Sequence, residues 1–392
     1  MRKNFTKNKK KVDRSFVFTI LSFLGFGLLM IADSTVITSN NLYGDPYRFV
    51  FLQLGWVAIG LTGFFFFYNL DYRTLSSLSR ALFLFTFFSL VLLAIMGVLP
   101  CSIDVPFAPC VNGANRWIYL NPPPLPEIPF LGILGFQPGE LAKLSVILYL
   151  SSNLGLILQK GKKSKGYDDP FITYIKISGM LAGLIILQPN MSTAAIVFIL
   201  GTIIYFISGA PLRPVLFTIP VFIVLSSLVI LTSPYRRSRL MALLSGNDSG
   251  DSSYHVKQAL VALGSGGVSG VGFGQSKQKY QYLPEVASDS IFAIIGEEFG
   301  FIGTAVVIFA YSYLIHQGFY IAKRSKDLFG KLVATGISSW IGIQFLVNIA
   351  AMTKLIPLTG VPIPLISYGG SSMVFSLIGL GILGNIKRNS EL

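Results

Sequence analysis

Ten runs of apolar residues, each about 20 long, are strung along this chain, beginning near Ser15, Arg48, Ala81, Gly139, Phe171, Met191, Pro214, Ser290, Leu332 and Tyr368. A helix of about that length crosses a hydrocarbon layer of about 30 Å. Inside lipid, only a structure that satisfies its own backbone hydrogen bonds can span. The 392 residues are 52% hydrophobic and 12% charged, with a mean hydropathy of +0.65, which is more apolar surface than a soluble domain of this size can bury. The expected fold is therefore all-α: a single polytopic membrane domain over residues 1–392, built as a bundle of ten transmembrane helices. Its least obvious boundary is Gln188-Pro189-Asn190, read as a tight turn that divides residues 171–209 into two spans.

Basic residues set the orientation. Seven lie in Met1–Arg14, ahead of an apolar run too long for a cleavable signal peptide, so this start reads as a signal anchor with a cytoplasmic tail. Of the 31 Lys and Arg, 20 fall on the side that this start makes cytoplasmic, as the positive-inside rule requires. Both termini are then cytoplasmic, and two large loops, 100–138 and 233–289, are extracytoplasmic. The formal net charge of +14 thus reports topology, and with no aromatic-basic binding module it argues against nucleic acid as a partner. Cys101 and Cys110, in the first loop, can bridge where the compartment oxidises or remain two free thiols. Neither their spacing nor their neighbours suggest a metal site.

The second loop concentrates the polar chemistry. Tyr235-Arg236-Arg237-Ser238-Arg239 sets three guanidiniums within four residues, suited to gripping phosphate or diphosphate oxygens or to anchoring on anionic lipid. The glycine-rich stretch from Gly264 to Gly274 lacks the ending and the flanking strand of nucleotide-binding loops. It reads as backbone that must bend and approach something closely. Lys277 and Lys279 follow, then Leu283-Pro284-Glu285, and Asp289 stands where the next apolar run begins. Asp289 is either the N-cap of that helix, with Ser288 sharing the task, or a reactive carboxylate at the membrane surface. Glu297 and Glu298, deeper in the run, are expected to bond backbone or basic groups inside the bundle, while His255 and His316 have no partner motif and receive no catalytic role. Further back, Arg116-Trp117 and Gln137-Pro138-Gly139-Glu140 precede Lys143. Glu140 and Lys143 share a helix face. Ionisable groups inside a membrane cost roughly 2.5–3.5 kcal/mol each, so the two form a structural ion pair or line a polar cavity.

Several blocks together resemble the FtsW/RodA/SpoVE family: Asn112 to Trp117, Gln137-Pro138 with Glu140 and Lys143, Gln188-Pro189, Tyr235 through Leu283-Pro284-Glu285 and Asp289 to Gly296-Glu297-Glu298, and Pro357 to Pro364 running into Ser367-Tyr368-Gly369-Gly370-Ser371-Ser372. They occur in order over nearly the whole chain, and the Tyr-Arg-Arg-Ser-Arg block is nearer the FtsW/SpoVE branch than RodA. The resemblance implies a ten-span peptidoglycan glycosyltransferase of the bacterial cytoplasmic membrane. Such an enzyme polymerises lipid II, the undecaprenyl-diphosphate-linked disaccharide peptide, at the outer face. It works beside a class B penicillin-binding transpeptidase and other proteins of a division or elongation complex. By the same resemblance Asp289 is the essential residue. Arg116, Trp117, Glu140, Lys143, Arg236, Arg237, Arg239, Lys277, Lys279, Glu285, Ser371 and Ser372 are the candidates for substrate contact.

Three departures from the family pattern stand out. Ala287-Ser288-Asp289 replaces the usual His-Thr-Asp, Asn190 replaces an aspartate, and Asp33 sits in the first span where an uncharged residue is usual. The expected chemistry is an inverting displacement. Asp289 takes the proton of the acceptor hydroxyl, and the basic residues, helped by a divalent cation such as Mg or Mn, stabilise the departing diphosphate. No protein ligand for a metal is assigned. A flippase for the same lipid and a non-catalytic division scaffold are the competing readings.

Overall fold

The structure, a computed structural model, describes residues 14–103, 105–111, 113–160, 169–211, 213–214, 216, 218, 220, 224, 227, 231, 237, 239–241, 243, 251–280 and 282–390. Three long helices come first: α1 (Arg14–Tyr43), α2 (Arg48–Asn69) and α3 (Thr74–Met96). Two small antiparallel ribbons then build the first loop, β1 (Cys110–Val111) with β2 (Ala114–Asn115) and β3 (Ile118–Tyr119) with β4 (Gly135–Phe136). Cys101 and Cys110 are joined as a disulfide at the edge of the first ribbon.

Helix α4 (Pro138–Lys160) re-enters the bundle. The next span is α5 (Pro170–Tyr174), a π-helical turn (Ile175–Gly179) and α6 (Met180–Leu187). The turn at Gln188-Pro189-Asn190 does divide two spans. Asn190 caps α7 (Met191–Ile207) by accepting a hydrogen bond from the Thr193 amide at 3.2 Å, so the amide side chain supplies the cap oxygen that an aspartate would. Beyond it come α8 (Asp251–Ser265), α9 (Ile291–Lys323), α10 (Leu328–Met352) and α11 (Gly370–Asn389).

Eight of the described helical segments are long and apolar enough to cross a membrane, and Met191–Ile207 is a ninth, shorter apolar helix. The run predicted from Pro214 lies mostly outside the described residues. The core sits off-centre. In α4, α10 and α11, 72% to 78% of the most apolar stretch is buried, against 28% to 39% in α1, α2 and α3, whose leucines and phenylalanines face outward as lipid-exposed helices do. Helix α11 packs closely on α2, where a Cβ on Gly381 would lie 2.5 Å from the Phe64 carbonyl oxygen.

Helix α9 is cut. At Gly300 the backbone turns to φ 64°, ψ −161°, and the chain at Gly267–Gly272 lies alongside and takes over the freed hydrogen bonds. The amides of Val271 and Gly272 donate to the carbonyls of Glu297 and Glu298 at 3.0 Å, and those of Phe301 and Ile302 donate to Gly267 and Val268 at 2.9 and 3.1 Å. A Cβ on Gly270 would fall 2.0 Å from the Glu298 oxygen, and one on Gly300 2.3 Å from the Gly270 nitrogen. The close approach expected of the glycine stretch is therefore to the following helix of the same chain.

Candidate active site

A cavity of about 660 Å³ opens at the end of the bundle that carries the long loops. Four parts of the chain wall it: Arg116 and Trp117 after β2, the Gln188–Asn190 turn with the start of α7, Glu285 to Asp289, and Leu358 to Pro362. Glu140 and Ser372 reach it from the first turns of α4 and α11, and Arg239 from the second loop.

The segment before α9 is shaped by its own hydrogen bonds. The Glu285 carbonyl accepts from the amides of Ser288 at 3.1 Å and Ser290 at 3.2 Å, and the Ser290 hydroxyl donates to the Pro284 carbonyl at 2.9 Å. From outside, the Tyr368 amide donates to Ala287 at 2.8 Å and the Asn348 side chain donates to the Asp289 carbonyl at 2.7 Å. Asp289 thus has a fixed backbone and, as a residue only 6% exposed, belongs to the cavity wall. Burial, and next the neighbouring Glu285 charge, push that carboxyl up from 3.8 to about 7, against the opposing pull of Arg239 and Ser288. Ser290, and not Asp289, is the N-cap residue of α9.

Of the three clustered arginines, Arg239 enters the cavity wall and donates to the Leu358 carbonyl at 2.9 Å. Arg237 is exposed, and Arg236 lies outside the described residues. The Arg116 guanidinium donates to the carbonyls of Gln188 at 3.2 Å and Pro189 at 2.9 Å, tying the first loop to the turn before α7. Glu140 accepts from Lys143 Nζ at 2.6 Å, and Lys143 also donates to Gln344 Oε1 at 2.7 Å. Gln344 in turn donates to Ser372 Oγ at 3.2 Å. Lys143 is wholly buried behind Glu140, whose second oxygen has no hydrogen-bond partner among the described residues. Ser371 accepts from the Gln137 amide at 3.0 Å and serves the backbone.

Two predicted residues sit elsewhere. Lys279 bridges Asp33 of α1 at 2.6 Å and Glu298 of α9 at 3.0 Å. The Lys277 amide donates to Glu297 at 3.0 Å, which also accepts from the Gln278 amide at 3.3 Å and from the Ser276 hydroxyl. Two residues that sequence reasoning passed over brace the site. His255 shares a 2.6 Å hydrogen bond with Ser290, and burial, then Arg239, pull it down to about 4, so it is neutral at physiological pH. Asn348 is the other, and nothing in its local sequence marks it.

A many-helix bundle of spanning length, with a buried acid and an arginine in the wall of one cavity, defines a polytopic membrane protein. The chain belongs to the FtsW/RodA/SpoVE family of cell cycle proteins, which it matches over residues 14–392. It is 35% identical over 389 residues to stage V sporulation protein E of Bacillus subtilis, covering 98% of this chain and 100% of that one. It is 34% identical over 397 residues to the probable peptidoglycan glycosyltransferase FtsW of the same organism, covering 97% and 91%. Among solved structures it shares its fold with a chain of a peptidoglycan synthase complex that coordinates polymerization and crosslinking, with TM-score 0.72 and 23% identity over 96% of this chain and 98% of that one. The rod shape determining protein RodA of Thermus thermophilus gives TM-score 0.66 and 24% identity over 98% and 99%.

Proposed function

We propose that this protein is a peptidoglycan glycosyltransferase that polymerises lipid II at the outer face of the bacterial cytoplasmic membrane. In this reading the chain crosses ten times with both termini cytoplasmic, so the cavity faces outward. Family membership supports it, as do curated relatives that bear the enzyme's name at 34% and 32% identity. The observation that carries it is the presence of both Asp289 and Arg239 in the lining of one cavity.

The acceptor sugar's 4-hydroxyl attacks the anomeric carbon of the donor and its proton passes to Asp289. The bond from that carbon to the diphosphate oxygen breaks with inversion, and the electron pair leaves on the diphosphate. A carboxylate poised near neutral pH suits the base, and Arg239 supplies fixed positive charge for the leaving group. Among the described residues no group of three or more acidic, histidine or cysteine side chains is placed to hold a metal ion. A magnesium or manganese ion, when bound with the substrate, would supply further positive charge for the leaving diphosphate. A class B penicillin-binding transpeptidase is the proposed partner, in keeping with the synthase complex that shares the fold.

Purified protein given lipid II in detergent tests the reading. Glycan strands should form, and Asp289→Asn should lower their rate on the order of 10²- to 10⁴-fold while the protein stays folded. Lipid translocation without strands would point to a flippase, and normal synthesis by the variant would remove Asp289 as the base.

A further inference from the structure

The Ser288 hydroxyl lies between two carboxyl groups, and its contacts are unequal. It stands 2.8 Å from Glu285 Oε2, 3.3 Å from the Glu285 carbonyl and 3.4 Å from Asp289 Oδ1. A hydroxyl has one proton to donate, and the shortest contact is to the Glu285 side chain. Glu285 holds a left-handed backbone, φ 51°, a conformation that a non-glycine residue keeps only where its surroundings demand it. The two amide hydrogen bonds to its carbonyl supply that demand, and they aim its exposed carboxylate into the same cavity as Asp289.

Among the described residues the remaining groups facing Asp289 are few. Arg239 comes from the second loop, and Gly360 brings backbone, where a Cβ would lie 3.6 Å from Asp289 Oδ2. Asn348 of α10 bonds the Asp289 carbonyl and leaves the carboxyl alone. His255 of α8 acts at one remove, through Ser290.

We propose that Glu285, acting through the Ser288 hydroxyl, is a positioning residue that keeps Asp289 open as the proton acceptor of the transfer. This rests on the reading of Asp289 as the base. Two effects run the same way. The Glu285 charge opposes ionisation of Asp289, second only to burial. By drawing the Ser288 proton to the shorter contact, Glu285 also weakens the hydrogen bond through which Ser288 stabilises the Asp289 carboxylate and makes it a poorer base.

Two pH titrations on the full-length protein test this. One is the pH profile of lipid II polymerisation. The other is labelling of Asp289 by a hydrophobic carbodiimide, which reacts with the protonated carboxyl and is read by peptide mass spectrometry without turnover. Glu285→Gln and Glu285→Ala should move the acid limb of the rate, and the labelling midpoint, to lower pH by on the order of half to one unit. Glu285→Asp keeps the charge and Ser288→Thr keeps the hydroxyl, so both should hold the wild-type midpoints. Neutral Glu285 variants that lose rate equally at every pH with an unmoved labelling midpoint would overturn the proposal, because a merely structural turn residue behaves that way. An inactive Glu285→Gln still reports through labelling. If Asp289→Asn is dead and the Glu285 midpoints do not move, only the positioning role falls; if Asp289→Asn polymerises normally, the base assignment falls with it.

Discussion

Among the described residues two buried charge clusters sit in this bundle, and they serve different ends. Glu140 and Lys143, three residues apart on α4, form a neutral pair that leans on Gln344 and shows one carboxyl to the cavity. Asp33, Lys279 and Glu298 join α1, the second loop and α9, carry one more negative charge than positive, and are absent from the cavity wall. Both would be marked as functional by the rule that charge inside a membrane is costly. What separates them is where the oxygens point. The first cluster faces the space a substrate would fill, and the second fastens a loop across a cut helix.

The strongest attempt to break this contrast is Lys279→Met, which leaves two carboxylates buried without their cation. It should destabilise the protein by roughly 3–5 kcal/mol, read as a fall in thermal unfolding temperature in detergent. A wild-type melt would show that the cluster carries no structural weight. Asp289 extends the comparison, being a buried acid with an acidic neighbour at the cavity wall. Its folded value, about 7, lies above the ordinary 3.8, so below about pH 4 ionisation contributes nothing to the stability difference between wild type and Asp289→Asn, which is there independent of pH. As pH rises to about 7 the wild type should lose stability relative to the variant, by at most about 4 kcal/mol. Parallel melts across that window check the sign, and a difference that stays flat with pH contradicts it.

A gentler probe replaces both members of the cavity pair, Glu140→Gln with Lys143→Met. Exchanging a buried ion pair for neutral groups of similar size is often close to neutral for stability. The melt should stay within about 2 kcal/mol of wild type while polymerisation falls at least about tenfold. An active double variant would reduce Glu140 to scaffolding. The smallest effect is expected from Asp33→Asn, which leaves a balanced Lys279–Glu298 pair. Polymerisation should be unchanged and stability within about 1 kcal/mol, and a large loss of activity would place the second cluster in the reaction after all.

Much of this was legible from the chain alone. Hydropathy located the helices because spanning lipid is a local demand, met residue by residue. Predicted starts fell within a few residues of those seen, though the run near Ala81 begins as helix at Thr74 and that near Leu332 at Leu328. Glu297 and Glu298 bond backbone and a lysine inside the bundle, as their depth suggested. Contacts between distant parts were not legible. Asp33 looked like a lone departure, since its partner lies 246 residues away. The guanidinium cluster could not announce which arginine turns inward, because inside a loop no periodicity sets the facing. The cut at Gly300 was hidden too: apolar residues continue on both sides of it, so the run reads as one span.

That cut has a mechanical side. The piece from Ile291 to Phe299, with Asp289 just ahead of it, is sewn at its far end to the glycine stretch of the preceding loop as well as to the rest of its own helix. The amides of Phe301 and Ile302, on the other side of the cut, are sewn to the same stretch. The loop therefore works as a splint: it fixes the angle between the two halves of the helix, and with that angle the bearing of the acid on the cavity.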